Sequence, residues 1–209
     1  DTRTITGWGY DLLESLKMGE IYNFPEYTNN LRQMPSNYTM FANMTTALWL
    51  GPLYIIQSIK GSVIAIELYW LWYKCLIGII HFLNVILITK ILQKINLPSK
   101  NTDNVCTLYM LSTVVLITVI GQGQIDMICL LFTLLGYYYL IEKKYHVMAL
   151  MFGLGIVFKP FVILIAVPIL LLLSSKIRIK TITAMTVLVV PYILNMVATR
   201  LIMPDYGTY

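Results

Sequence analysis

From Leu68 to Ala198 the chain runs as a series of apolar stretches, separated only by short turns that are basic or rich in glycine and proline. Hydrophobic residues make up 58% of the 209 and charged residues 12%, with a mean hydropathy of +0.73. A soluble domain carries about a quarter charged residues, so this composition cannot cover a water-facing surface. The reading is a polytopic membrane protein, all-α, built as a bundle of transmembrane helices, because a helix satisfies its own backbone hydrogen bonds within lipid.

Six spans are expected, near 68–92, 105–120, 125–141, 146–159, 161–174 and 181–198. Several fall short of the roughly 20 apolar residues that a full crossing needs. Gly153, Gly155, Pro160, Pro168 and Pro191 interrupt or end some of them. Broken helices persist in a bilayer where neighbours or a water-filled cavity satisfy the freed backbone groups. The chain begins at Asp1 without a methionine and stops at Tyr209 just beyond a span, so it is read as a piece of a longer protein whose preceding helix is missing.

Residues 1–67 form a separate region, expected as a large loop with short amphipathic helices and an interfacial or re-entrant segment. Ile5, just before "GWGYDLLESLKMGEIY", and Trp8, Leu12 and Leu16 within it fall at helical spacing, and Gly19 is a stop signal. Trp8, Tyr10, Tyr22 and Tyr27 suit a membrane interface. The stretch 41–59 is apolar but short, and Pro52 is expected to break it. Asn37 and Asn43 each open an N-x-T sequence.

The net charge of +5 says less than where the charges lie. Lys90, Lys94 and Lys100 flank one connection, Lys143 and Lys144 the next but one, and Lys176, Arg178 and Lys180 the next but one again. Eight of the fifteen basic residues thus occupy alternate short loops, which the positive-inside rule places in the cytoplasm. Residues 1–67, the turn at 121–125 and Lys159-Pro160 then face the other side. The pattern is not that of a nucleic-acid binder. Cys75, Cys106 and Cys129 all lie in apolar runs and read as reduced thiols, and with only His81 and His146 no metal-ligand cluster is apparent.

The residues that need explaining are those of "VIGQGQIDMICLL" at 119–131, where two glycines, two amides and a carboxylate interrupt the apolar run. Asp126 falls in the first turn of a helix, where the dipole favours a carboxylate. Gln122 and Gln124 offer donors and acceptors of the kind sugar hydroxyls require. The plainer alternative is a tight interhelical turn with Asp126 as its cap. Lys159 either snorkels to the interface or serves a ligand. His81, Asn84 and Lys74, on one face of 68–92, read as hydrogen bonders facing the bundle rather than as a proton relay. Tyr137, Tyr138, Tyr139 and Tyr145 read as an interfacial belt.

An order of motifs then carries a resemblance. "WGYDLL…GEIYNF" and "MPSNYTMFANMTTALWLGPLYII" are followed by "GQGQIDMICLLFTLLGYYYLIEKK" and then by Gly153-Leu154-Gly155-Ile156-Val157-Phe158-Lys159-Pro160. This order resembles the GT-C superfamily of polytopic membrane glycosyltransferases, most of all its bacterial polyprenyl-phosphate-mannose-dependent branch. The resemblance implies transfer of a hexose, mannose-like, from a polyprenyl-phosphate donor to a glycan or glycolipid acceptor on the extracytoplasmic face, with inversion. It implies an acidic general base in the first outer loop, a place Asp1 occupies here. Lys159 is the expected partner of the leaving phosphate, with Arg3, Arg32 and Arg200 behind it, while Gln122, Gln124 and Asp126 position sugar or acceptor. No paired-acid D-x-D stands in the first loop, so no divalent ion is indicated, and no other cofactor is expected. "MPSNY" stands where the family carries a tyrosine–proline–proline element.

A mannosyltransferase of the cell envelope, multi-pass in the cell membrane and contacting membrane lipids, is the leading expectation. A transporter or flippase-like bundle is the alternative, with GQGQID and the Phe158-Lys159-Pro160 break as half-helix ends at the midplane. A non-catalytic scaffold is a third.

Overall fold

The computed structural model describes residues 2–24, 38–174 and 178–202. Asp1, Tyr27, Arg32, Asn37 and Lys176 lie outside the described residues, as do the side chains of Arg178 and Lys180. Among the described residues every regular element is helical. The chain divides into two compact units, Asp1–Leu76 with Leu194–Tyr209, and Ile77–Ile193. The divisions fall inside two long helices.

In the first unit, helix α1 (Thr2–Met18) packs along helix α2 (Met40–Lys60). Ile5, Trp8 and Leu12 recur at helical spacing and are buried, and the stripe continues to Ser15. Leu16, expected on that stripe, is 51% exposed instead. Trp8 is 3% exposed and belongs to a core with Leu12, Phe24, Met40 and Ala47, so it is a packing residue rather than an interfacial anchor. Gly9 lets the two helices approach, since a Cβ there would come within 2.6 Å of Thr46 Cγ2. α1 ends at Met18 and Gly19 takes a left-handed φ of 73°, as the sequence predicts.

The expected break at Pro52 does not occur. α2 is one helix of 21 residues. Thr39 accepts from the Ala42 N–H at its start, and Gly61 turns left-handed at φ 62° at its end. Proline at 52 removes only the bond that would reach the Leu48 carbonyl, and Leu48 faces outward. Asn43 is buried within α2, which removes it as a glycosylation acceptor in the folded chain. The Phe41 N–H donates to Asn195 Oδ1 at 3.1 Å, linking α2 to the last part of the chain.

A second polar cluster in this unit centres on Gln57. Its Nε2 donates to the Tyr10 hydroxyl at 2.9 Å, and its Oε1 accepts from Tyr69 at 3.2 Å and from the Ile64 N–H at 3.1 Å. Tyr10 in turn donates to Glu14 at 3.0 Å and meets the rings of Tyr54 and Tyr69 edge-on. Burial pushes the Tyr10 phenol above its ordinary pKa, Gln57 opposes this and Glu14 adds to it.

Helix α3 (Ile66–Lys94) has 29 residues, about 44 Å. In the second unit it is followed by α4 (Ser99–Leu111), a short α5 (Thr113–Leu116) and a π turn (Ile117–Gln122). Ser112, at ψ 118°, breaks α4 from α5, and the two directions differ by 44°. A helical hairpin comes next, α6 (Asp126–Ile141) and α7 (Tyr145–Phe158), joined by the turn Glu142–Lys144. A Cβ on Gly136 would sit 2.5 Å from the Phe152 ring, so the glycine sets the spacing of the hairpin. Helix α8 (Ile163–Ser174) and helix α9 (Arg178–Ile202) are the last elements among the described residues. Gly153 brings α7 against the Leu188 carbonyl of α9. Gly153, Gly155, Pro168 and Pro191 therefore lie inside helices, and only Lys159-Pro160 interrupts one.

Two helices are long and apolar enough to cross a membrane, Ile66–Lys94 and the Ile182–Leu201 part of α9, and the bent pair Ser99–Leu111 with Thr113–Val119 makes a third if it is one span. All six expected apolar segments are helical, but α6, α7 and α8 have 16, 14 and 12 residues. At about 1.5 Å per residue they reach about 24, 21 and 18 Å against a hydrocarbon core of about 30 Å. Six full crossings are not what these lengths give.

Candidate functional site

The polar stretch at 121–126 is built by a change of helix type. From Ile117 the backbone widens into a π turn, the sort of bulge that recurs at functional sites. It closes at Gly123, whose left-handed φ of 56° lets the chain reverse. The Gln124 N–H donates back to the Thr118 carbonyl at 3.2 Å, fixing the turn. Gln124 Nε2 donates to Gln122 Oε1 at 2.6 Å, so the two amides act as one group on the rim.

Asp126 is the first residue of α6, and the preceding Ile125 makes no side-chain cap. It is therefore not the cap that the plainer sequence reading allows. Its carboxylate meets Lys159, which follows α7. Lys159 is extended at φ −149°, ψ 121°, because Pro160 disfavours helix in the residue before it. The hairpin returns the end of α7 beside the start of α6, and Lys159 Nζ lies 3.2 Å from Asp126 Oδ1. Among the described residues that buried oxygen accepts no hydrogen bond of good geometry, so the ammonium is its main compensation. The side chains remain 29% and 36% exposed, which leaves the pair open to a ligand.

The other end of the same hairpin carries the basic turn. Lys94 ion-pairs with Glu142, and Lys144 Nζ lies 3.7 Å from the other Glu142 oxygen. Lys94 holds the Glu142 carboxyl below its usual pKa range. The second unit thus keeps the Asp126–Lys159 pair and the 142–144 turn at opposite ends of two packed helices.

Four of the candidate residues, Gln122, Gln124, Asp126 and Lys159, lie together in the second unit. Arg3 belongs to the first unit, where its guanidinium lies 5.7 Å from the centre of the Trp70 ring. Arg200 also belongs to the first unit. The described residues do not include Asp1 or Arg32. Among the described residues no group of three or more His, Cys, Asp or Glu is placed to hold a metal.

Three features were passed over or underread in the sequence. Asp11 is a buried carboxylate on α1, on a face the apolar pattern marks as core. Glu142 reads as one charge among several, and only its contacts with Lys94 and Lys144 make it a centre. His81, near the middle of α3, is 5% exposed, and among the described residues neither ring nitrogen has a hydrogen-bond partner. Asn84, one turn on and fully buried, donates to the Met127 carbonyl at 3.3 Å, which bears out its reading as a bundle-facing hydrogen bonder, while its Oδ1 accepts nothing among the described residues. Comparison with family models, curated proteins and solved structures finds no match for this chain.

Proposed function

We propose that the chain is part of an integral membrane glycosyltransferase of the GT-C type. It moves a hexose from a polyprenyl-phosphate donor to an extracytoplasmic glycan or glycolipid acceptor, with inversion. The single observation that carries this reading is the Asp126–Lys159 pair beside the coupled amides of Gln122 and Gln124, at the hairpin end away from the basic turn.

The chemistry asks for three things. An acceptor hydroxyl must lose its proton to a carboxylate as its oxygen bonds to the anomeric carbon. The bond from that carbon to the phosphate oxygen breaks, and its electron pair leaves with the phosphate. That negative charge must be stabilised where it develops. Asp1 is the proposed base. Lys159 stabilises the phosphate, and Asp126 orients the ammonium before the donor arrives. Gln122 and Gln124 donate to and accept from sugar hydroxyls. Arg3 and Arg32 supply further positive charge for the donor. A lipid-linked donor keeps its phosphate at headgroup depth, where helix ends meet water, which accounts for a catalyst of this apolar composition.

The test is transfer of radiolabelled hexose from a polyprenyl-phosphate donor by the complete protein in vesicles. Lys159→Met should lower transfer by about a hundredfold, and Asp1→Asn should abolish it, both with membrane insertion intact. Full activity in both variants rejects the assignment.

A second reading, a transporter or flippase-like bundle, is favoured by one observation: His81 and Asn84 place near the middle of α3 polar atoms that have no partner among the described residues, and polar groups at that depth are costly unless functional. Cysteines at 122 and 159 separate the two. Labelling of both from outside supports transfer, and substrate-gated labelling supports transport.

A further inference from the structure

The turn between α6 and α7 holds a site of its own, independent of the transferase reading. A cavity of about 310 Å³ opens there, lined by Lys143, Lys144, Tyr145, His146 and Val147. Two lysines, Lys143 and Lys144, line it, and beside it the carboxylate of Glu142 pairs with Lys94 and Lys144. The local balance is positive even before His146 on the rim is considered. α7 starts at Tyr145 with no side-chain cap, so the first-turn amides, which have no upstream helical carbonyl, add partial positive charge on the cavity side.

The depth of the cavity is fixed by its neighbours. Lys94 is the last residue of α3, the longest apolar helix, and its bond to Glu142 ties the turn to the end of that span. Lys94 and Lys144 lie over the rings of Tyr138 and Tyr139, 5.3 and 5.9 Å from their centres. Lysine and tyrosine together at the end of an apolar helix mark the headgroup layer.

We propose that this cavity is a phosphate-anion site, filled by the headgroup phosphate of an anionic membrane lipid. Lys143 and Lys144 supply the charge, the α7 amides the directed donors, and Val147 an apolar wall toward the acyl chains. The charge excess selects anionic lipids over zwitterionic ones. Clusters of this kind at the cytoplasmic ends of spans attract anionic lipid at about a fivefold gain in affinity for each lysine.

The full chain, reconstituted in vesicles of mixed phosphatidylcholine and phosphatidylglycerol and released into neutral detergent, should retain phosphatidylglycerol, counted by native mass spectrometry. The Lys143→Asn/Lys144→Gln variant should lose affinity on the order of twentyfold. Asparagine is chosen because Lys143 sits at φ 57°, where asparagine is at ease. His146→Gln provides a milder second variant, and far-UV circular dichroism checks the fold of each. Lys60→Gln, an exposed lysine in the other unit, should change nothing. In a lipid-free arm, inorganic phosphate that shields Lys143 from an amine-reactive label supports the anion site and, if lipid retention is absent, assigns it to free phosphate. Equal retention by wild type and the double variant, without phosphate protection, overturns the proposal. So does an equal loss in Lys60→Gln.

Discussion

Trp49 and Trp72 hold each other by a reciprocal pair of hydrogen bonds. Each indole N–H donates to the other's backbone carbonyl at 2.8 Å, and the rings stack with centres 5.2 Å apart. The arrangement fastens α2 to α3 within the first unit, and it uses carbonyls that also belong to helices. Trp49→Phe and Trp72→Phe should each lower stability by about 1–2 kcal/mol, one neutral hydrogen bond plus part of the stacking. In a double-mutant cycle followed by thermal unfolding in detergent, the two losses should fall short of additivity by about 0.5–1.5 kcal/mol.

Glycines at helix contacts should separate cleanly from glycines in open positions. Gly9→Ala pushes a methyl to 2.6 Å from Thr46, and Gly136→Ala pushes one to 2.5 Å from the Phe152 ring. Each should destabilise by about 1–3 kcal/mol. Gly78, inside α3, has nothing within 4 Å of an added Cβ and no proline after it. Gly78→Ala should stabilise by about 0.5–1 kcal/mol through helix propensity. Melting temperatures of the three variants in one detergent give the comparison, and a stabilised Gly9→Ala would contradict the close packing of α1 on α2.

The Asp126–Lys159 pair should be worth about 1 kcal/mol, because both side chains are partly solvated. Lys159→Met leaves a buried carboxylate oxygen without its cation and should cost more than Asp126→Asn, which leaves a lysine able to reach water. The Asp126→Asn/Lys159→Met double variant should recover part of the Lys159→Met loss. Chemical denaturation at low and high salt checks the order, with salt narrowing the differences.

Alkaline pH should loosen the first unit through Tyr10. Its folded-state pKa is raised, chiefly by burial, so the neutral phenol is favoured in the fold. The resulting stability is fully present below the unfolded value of about 10 and is lost as pH climbs through the higher folded value. Absorbance of ionised tyrosine followed against unfolding should show this loss in the wild type. Tyr10→Phe should flatten part of that limb, at the cost of the hydrogen bonds to Gln57 and Glu14.

Periodicity carried the first helix well, since Ile5, Trp8 and Leu12 announce one face. It could not say that α2 would cover that face along Ser15 rather than Leu16, because the choice depends on where a partner lies. Pro52 misled for a related reason: the caps at Thr39 and Gly61 and the outward position of Leu48 outweigh one missing bond. The break at Ser112 had no proline to announce it. At the candidate site, the composition of 121–126 and Lys159 stood out in the sequence. Their pairing did not, because 33 positions separate Asp126 from Lys159 and only the hairpin closes that distance. The expected base, Asp1, lies outside the described residues, and the expected count of crossings met helices too short to supply it.

The π turn at Ile117–Gln122 has a consequence for how such a rim changes over generations. A π turn holds more residues than an α turn of the same height, so the bearing of Gln122 and Gln124 depends on chain length as much as on residue identity. Losing a single codon there would return the strand of backbone to ordinary winding and swing the amides about a quarter of the way around the axis. Two sequences could then share every letter of the polar motif and present it in different directions, so insertions and deletions in this segment would re-aim the rim more readily than substitutions would.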